Sequence, residues 1–253
     1  MITAAVGRRA AHDQAAVERI AGPTETEPET PETLETLDFV TQRIRDLTQY
    51  QDSAYARRYA EMVDRVRVAE KEKAKGRTGL ADAVARAYFK LLAYKDEYEV
   101  ARLYTDGEFI AGLHRQFGDD FKLVFHLAPP LVAGRDPETG ELKKKQFGPW
   151  VMTAFKAIAR LKGLRGTPFD IFGMTTERRM ERRLIGEYEA VVKELLDGLN
   201  PGNHALAVEI AGLALRIRGF GHVKELNRRT AKDCEAQLLA DFNGSGVKAD
   251  AAE

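Results

Sequence analysis

One cysteine, Cys234, and two serines, Ser53 and Ser245, are all that 253 residues contain of the two commonest nucleophiles. A lone thiol leaves no disulfide framework, no cysteine-built zinc site and no cysteine-ligated iron–sulfur cluster within this chain. Both serines sit in plain polar context, without the neighbouring base that activates a hydroxyl. Net charge is missing too. Lysine plus arginine and aspartate plus glutamate number 39 each, which excludes attachment to nucleic acid by overall charge but not by a local basic patch. The longest uncharged apolar run, 123–134, is broken by His126 and by Pro129-Pro130 and is too short to span a bilayer. The first twenty residues carry Arg8, Arg9, His12, Asp13, Glu18 and Arg19, leaving no signal-peptide core. A cytoplasmic protein without a membrane partner is expected. The five histidines, His12, His114, His126, His204 and His222, show no helical metal-ligand spacing. A phosphate loop with its lysine is absent. Gly219-Phe-Gly221 opens a helix but follows a helix rather than a strand, and no third glycine completes a dinucleotide fingerprint.

What is present is mostly helical pattern. Residues 23–36 hold three Pro, five Glu, five Thr and one Leu, too little apolar surface to offset ordering, so residues 1–37 read as an N-terminal segment and an extended acidic linker. From Asp38 to Lys75 an apolar stripe (Val40, Ile44, Leu47, Tyr55, Met62, Val66) predicts one helix or a pair, closed by Gly76–Gly79. A helix from Leu80 is continued by Tyr94, Tyr98 and Tyr104, and a short one spans Glu108–Phe117. Phe121–Leu127 alternates strictly and predicts a strand; the turn chemistry of Asp136–Gly140 lets Glu141–Phe147 return as its partner. Helices are predicted again after Pro149, over Thr176–Leu199 with Thr176 as N-cap, over Asn203–Ile217 and over His222–Phe242, with Gly163–Gly173 a loop. The fold class is mainly α: a helical, bundle-like domain over 38–242 with a small antiparallel β insertion, then a disordered tail, 243–253.

The segment Leu142–Arg165 carries seven cations (Lys143, Lys144, Lys145, Lys156, Arg160, Lys162, Arg165) and no acid, with Phe147 and Trp150 among them. Such a surface suits RNA or single-stranded DNA, a CoA-type phosphate ligand, the acidic face of a partner, or solvent alone. Helix-start amides near Arg218, His222 and Lys224 offer a further anion site, or only a tight helix–helix turn. His126 faces away from the strand's apolar row. Cys234 lies between Asp233 and Glu235, which disfavour a thiolate.

Four phrases carry a resemblance: Leu127-Ala-Pro-Pro-Leu131, Lys143-Lys-Lys-Gln-Phe-Gly-Pro-Trp150, Arg165-Gly-Thr-Pro-Phe-Asp-Ile-Phe-Gly173 and Arg218-Gly-Phe-Gly-His-Val-Lys-Glu225. In this order and spacing the chain resembles, from Asp38 to Phe242, the C-terminal domain of the fused indolepyruvate ferredoxin oxidoreductases. Gly7–Asp13 looks like the join to their preceding domain. The resemblance implies a parent enzyme that converts a 2-oxo acid and CoA to acyl-CoA, CO2 and reduced ferredoxin, using thiamine diphosphate and iron–sulfur clusters. No Gly-Asp-Gly opens a thiamine-type site here, so no catalytic residue and no cofactor carry over. The expectation is a non-catalytic domain or split subunit that packs on the catalytic polypeptides and meets ferredoxin only indirectly. Its interface or anion-binding candidates are Lys143, Lys145, Trp150, Phe169, Asp170, Phe220, His222 and Lys224, on loops and helix starts. The alternative is a free-standing module for RNA or a phosphorylated ligand on the 143–165 segment.

Overall fold

The computed structural model describes residues 32–127 and 145–250. The described residues form nine α-helices and one two-stranded antiparallel sheet. The mainly-α expectation is met. In chain order these are α1 (Glu32–Tyr50), α2 (Ser53–Lys73), α3 (Leu80–Leu92), α4 (Glu97–Thr105), α5 (Glu108–Phe117), β1 (Phe125–Leu127), β2 (Lys145–Phe147), α6 (Val151–Arg160), α7 (Thr176–Gly198), α8 (His204–Gly212) and α9 (Gly221–Asp250). Short 3₁₀ turns cover Leu161–Leu164 and Leu213–Arg216. The described residues divide into two compact units, 32–112 with 154–250, and 113–127 with 145–153.

The larger unit is built around α3, which packs on α1, α2, α7, α8 and the Leu213–Arg216 turn. Its sequence explains that position. Leu80, Ala81, Val84, Ala85, Ala87, Tyr88, Leu91 and Leu92 are all buried, covering more than one stripe, and the alanines let neighbours approach closely. Gly79 precedes α3 and has no side chain to cap it. Glu70 of α2 replaces the cap, accepting from the Leu80 amide (2.7 Å) and the Ala81 amide (3.1 Å), with His204 Nε2 2.7 Å away. A ladder of tyrosines crosses the core: Tyr59 stacks on Tyr88, and Tyr88 on Tyr188, each with centroids 6.0 Å apart. Every hydroxyl of the three is satisfied: Tyr59 donates to Ala85 O, Tyr188 to Ala211 O, and Tyr88 to the Glu189 carboxylate that Arg58 grips at 2.7 and 2.8 Å.

Several sequence expectations shift. The acidic linker was expected to run to residue 37, yet α1 begins at Glu32; acids suit the positive end of a helix, and Thr36 Oγ1 donates to Asp82 of α3 (3.3 Å). The helix from Leu80 does not continue to Tyr104. It breaks at 93–96, where Asp96 caps α4 through the Glu99 amide (2.8 Å). Thr175, not Thr176, caps α7. The tail from 243 is helical as far as Asp250; Phe242 is buried and Asn243 donates to Glu194 of α7 (2.9 Å), so the docked helix carries through Gly244.

In the smaller unit β1 pairs with β2, Phe125 opposite Phe147 and Leu127 opposite Lys145. Phe125 is buried and His126 exposed. The strand is shorter than the predicted 121–127: residues 121–124 are not strand, and the described part of its partner is the three residues of β2. The expected turn at 136–140, the first part of the linker and the last three residues lie outside the described residues.

Candidate functional site

The Gly163–Gly173 loop is not a slack connection. Arg165 points inward, 5% exposed. Its Nε and Nη2 donate to Asp96 at 2.5 and 2.9 Å, its Nη1 donates to the Tyr50 carbonyl at 2.7 Å, and its guanidinium lies 3.7 Å from the Tyr50 ring centroid. Burial opposes its charge, but the Asp96 carboxylate outweighs that and raises the Arg165 pKa. Lys162 donates to the Gln49 carbonyl (2.6 Å), so two cations of this segment close the C-terminal end of α1. Asp170 is the second pin. It accepts from the Gly166 and Gly173 amides, both at 2.8 Å, and from the Tyr98 hydroxyl at 3.3 Å. A side chain on Gly173 would run into the Asp170 carboxylate and Arg182, so only glycine fits there. Held this way, Phe169, Ile171 and Met174 stand in solvent, Phe169 at 75% exposure.

A second segment, 218–226, is built on the same plan. Lys90 of α3 donates to the carbonyls of Ala214 (2.9 Å), Leu215 (2.9 Å) and Ile217 (2.8 Å), closing the turn before it. Gly219 has φ +96°, and an added Cβ would meet the Val223 side chain. Lys224 is tied to Glu181 of α7, and Asn227 donates to the Arg218 carbonyl (2.8 Å). Phe220 (79% exposed), Val223 and Leu226 follow at a spacing of three and are all exposed. Consecutive residues of α7 thus hold the two segments: Glu181 binds Lys224, and Arg182 donates to the Gly173 carbonyl (2.6 Å) while lying 3.6 Å from Asp170.

Of the residues singled out in the sequence, Phe169, Phe220 and His222 lie exposed on these two segments. Lys145 and Trp150 are exposed in the smaller unit, where Trp150 meets the Phe147 ring edge-on at 5.9 Å. Lys143, like Lys144, lies outside the described residues. Asp170 is 4% exposed and occupied in pinning its loop, and Lys224 is half-buried and paired with Glu181. Of the other cations in 143–165, Arg165 is buried and Lys162 caps α1. The residues that sequence reasoning passed over are the anchors: Lys90, Asp96, Glu181 and Arg182. Lys90, Glu181 and Arg182 act on partners at least nine residues away in the chain, and Asp96, whose cap on the Glu99 amide is local, also reaches Arg165 69 residues on.

A cleft of about 760 Å³ is lined by Arg67, Lys71, Lys75 and Arg77 beside Glu70 and Asp82. Glu70 already holds the helix-start amides of α3 there. Among the described residues, no group of three or more His, Cys, Asp or Glu side chains is placed to hold a metal ion, and no helix is long and apolar enough to cross a membrane.

Residues 36–237 match the model of DUF6537, a family of unknown function. The chain belongs to that family. The DUF6537 match contains both anchored segments and the whole of α3 and α7. No curated protein and no solved structure matches the chain.

Proposed function

We propose that this chain is a non-catalytic docking domain or subunit of a 2-oxoacid:ferredoxin oxidoreductase, and that it binds the catalytic polypeptides through the apolar tips of its two anchored segments. The observation carrying this reading is a coincidence. Two of the phrases that resemble the C-terminal domain of the fused indolepyruvate enzymes, Arg165–Gly173 and Arg218–Glu225, are the same segments that buried charges fix with Phe169, Ile171, Phe220 and Val223 turned to solvent. Rigid backbone under exposed aromatic side chains is the anatomy of a protein interface: the ordering cost is met before binding, and the apolar area is left to gain from it.

Thiamine diphosphate and the clusters belong, on this reading, to the partner. A single cysteine does not suit cluster ligation in this chain, and no step is assigned to its residues. The docking role is tested by purifying the tagged full chain from its own host under gentle lysis. Polypeptides of a thiamine-dependent 2-oxoacid oxidoreductase should co-purify, and the recovered complex should absorb as an iron–sulfur protein. Phe169→Asp with Phe220→Asp should abolish that recovery. Recovery of no such polypeptides, or undiminished recovery by the double variant, contradicts the proposal.

A further inference from the structure

We propose that a cleft beneath the Gly163–Gly173 loop is a binding site for a small organic oxyanion, a carboxylate or a phosphomonoester. The cleft holds about 280 Å³ and draws its walls from five parts of the larger unit: Gln51 after α1, Tyr55 and Arg58 of α2, Tyr94 between α3 and α4, Arg165 of the loop, and Arg182 and Ile185 of α7.

Three guanidinium groups line this space and no acid does. Each arginine has its carboxylate elsewhere: Glu189 holds Arg58 at 2.7 and 2.8 Å, Asp96 holds Arg165 at 2.5 and 2.9 Å, and Asp170 lies 3.6 Å from Arg182. None of these three carboxylates borders the cleft. The acids therefore fix the three arginines in place, and the lining itself carries cations without an acid. Arg182 Nη1 makes no hydrogen bond and lies 3.6 Å from Asp170 Oδ2. Gln51 uses its oxygen to accept from Arg165 Nη1 (3.4 Å), leaving its amide N–H groups to donate. The Tyr55 hydroxyl is committed to the Leu92 carbonyl (3.0 Å), so its ring, with Ile185, supplies an apolar wall.

This inventory selects the ligand class. Planar forks favour carboxylate or phosphate oxygens over a bare halide. The volume exceeds that of an inorganic oxyanion, and the tyrosine and isoleucine walls suit a short apolar body attached to it. The site does not depend on the docking role, since it opens on neither set of exposed aromatics as lining.

The test uses the full chain at fixed, low ionic strength, titrated with inorganic phosphate, phenyl phosphate and benzoate and followed by calorimetry and by arginine side-chain NMR. Saturable binding of phenyl phosphate or benzoate is expected, tighter than that of inorganic phosphate by at least about tenfold, with the Arg182 and Arg58 signals moving. The order of the two organic probes tells phosphate from carboxylate preference. Gln51→Glu places a negative charge in the wall without changing shape and should weaken binding by about tenfold or more while the thermal midpoint stays put. Arg58→Gln, at a half-exposed position, should weaken it as well. Absence of saturable binding by both organic probes, or equal binding by Gln51→Glu, overturns the proposal.

Discussion

Asp96 and Arg165, 69 residues apart, form a two-bond ion pair whose side chains are each 3% exposed. The same carboxylate caps α4 through the Glu99 amide, and the same guanidinium closes α1 through the Tyr50 carbonyl. Two helix ends and one loop therefore depend on a single pair of charges.

Removing one charge of a buried pair strands the other. Arg165→Met should lower stability by about 3–5 kcal/mol in urea unfolding. Arg165→Lys should recover little, because an ammonium cannot reach both Asp96 oxygens and the Tyr50 carbonyl at once. A Lys variant as stable as the parent would contradict this account.

Asp170→Ala and Gly173→Ala act on one pin from two directions. The first removes an acceptor for two amides and a phenol; the second pushes a methyl group into the same carboxylate. Both should speed amide exchange and proteolysis within 163–174 while leaving the protection of α3 amides near that of the parent.

Lys90 carries a pH signature. Burial, then the charges of Arg218 and Lys224, bring its pKa down from 10.5 to about 8. Below about pH 8 the amine is charged in both folded and unfolded chains, and its contribution is constant. Between about 8 and 10.5 the unfolded chain holds the proton that the folded chain has released, so this group's contribution to stability rises with pH there. Side-chain NMR of Lys90 should show a midpoint near 8, and Lys90→Met should remove that segment of the pH–stability curve.

The exposed aromatics should be dispensable for folding. Phe169→Asp and Phe220→Asp remove side chains that are 75% and 79% exposed, and each should shift stability by no more than about 0.5 kcal/mol. Thermal unfolding of the single variants checks this independently of any partner.

Periodicity disclosed the helices wherever one apolar face met one neighbour. The stripes of α2 and α7 and the bounds of α5 were readable from spacing alone. It misled at α3–α4, because Tyr94 and Tyr98 keep the helical rhythm while Asp96 between them turns its side chain back to cap a new helix. The exposed members of the site were visible as Phe169 and Phe220 in glycine-bearing segments. Their supports were not, since a lysine such as Lys90 reads as surface until its three carbonyl partners, more than a hundred residues later, are known.

The chain's chromophores are partitioned. Its one tryptophan, Trp150, belongs to the smaller unit and is 64% exposed, whereas all eight tyrosines belong to the larger unit, three of them stacked through its core. Indole fluorescence and tyrosine near-ultraviolet dichroism therefore act as separate built-in reporters. Superimposable melting curves from the two would mark a single cooperative transition, and displaced curves would give each unit its own melting temperature without a label being attached.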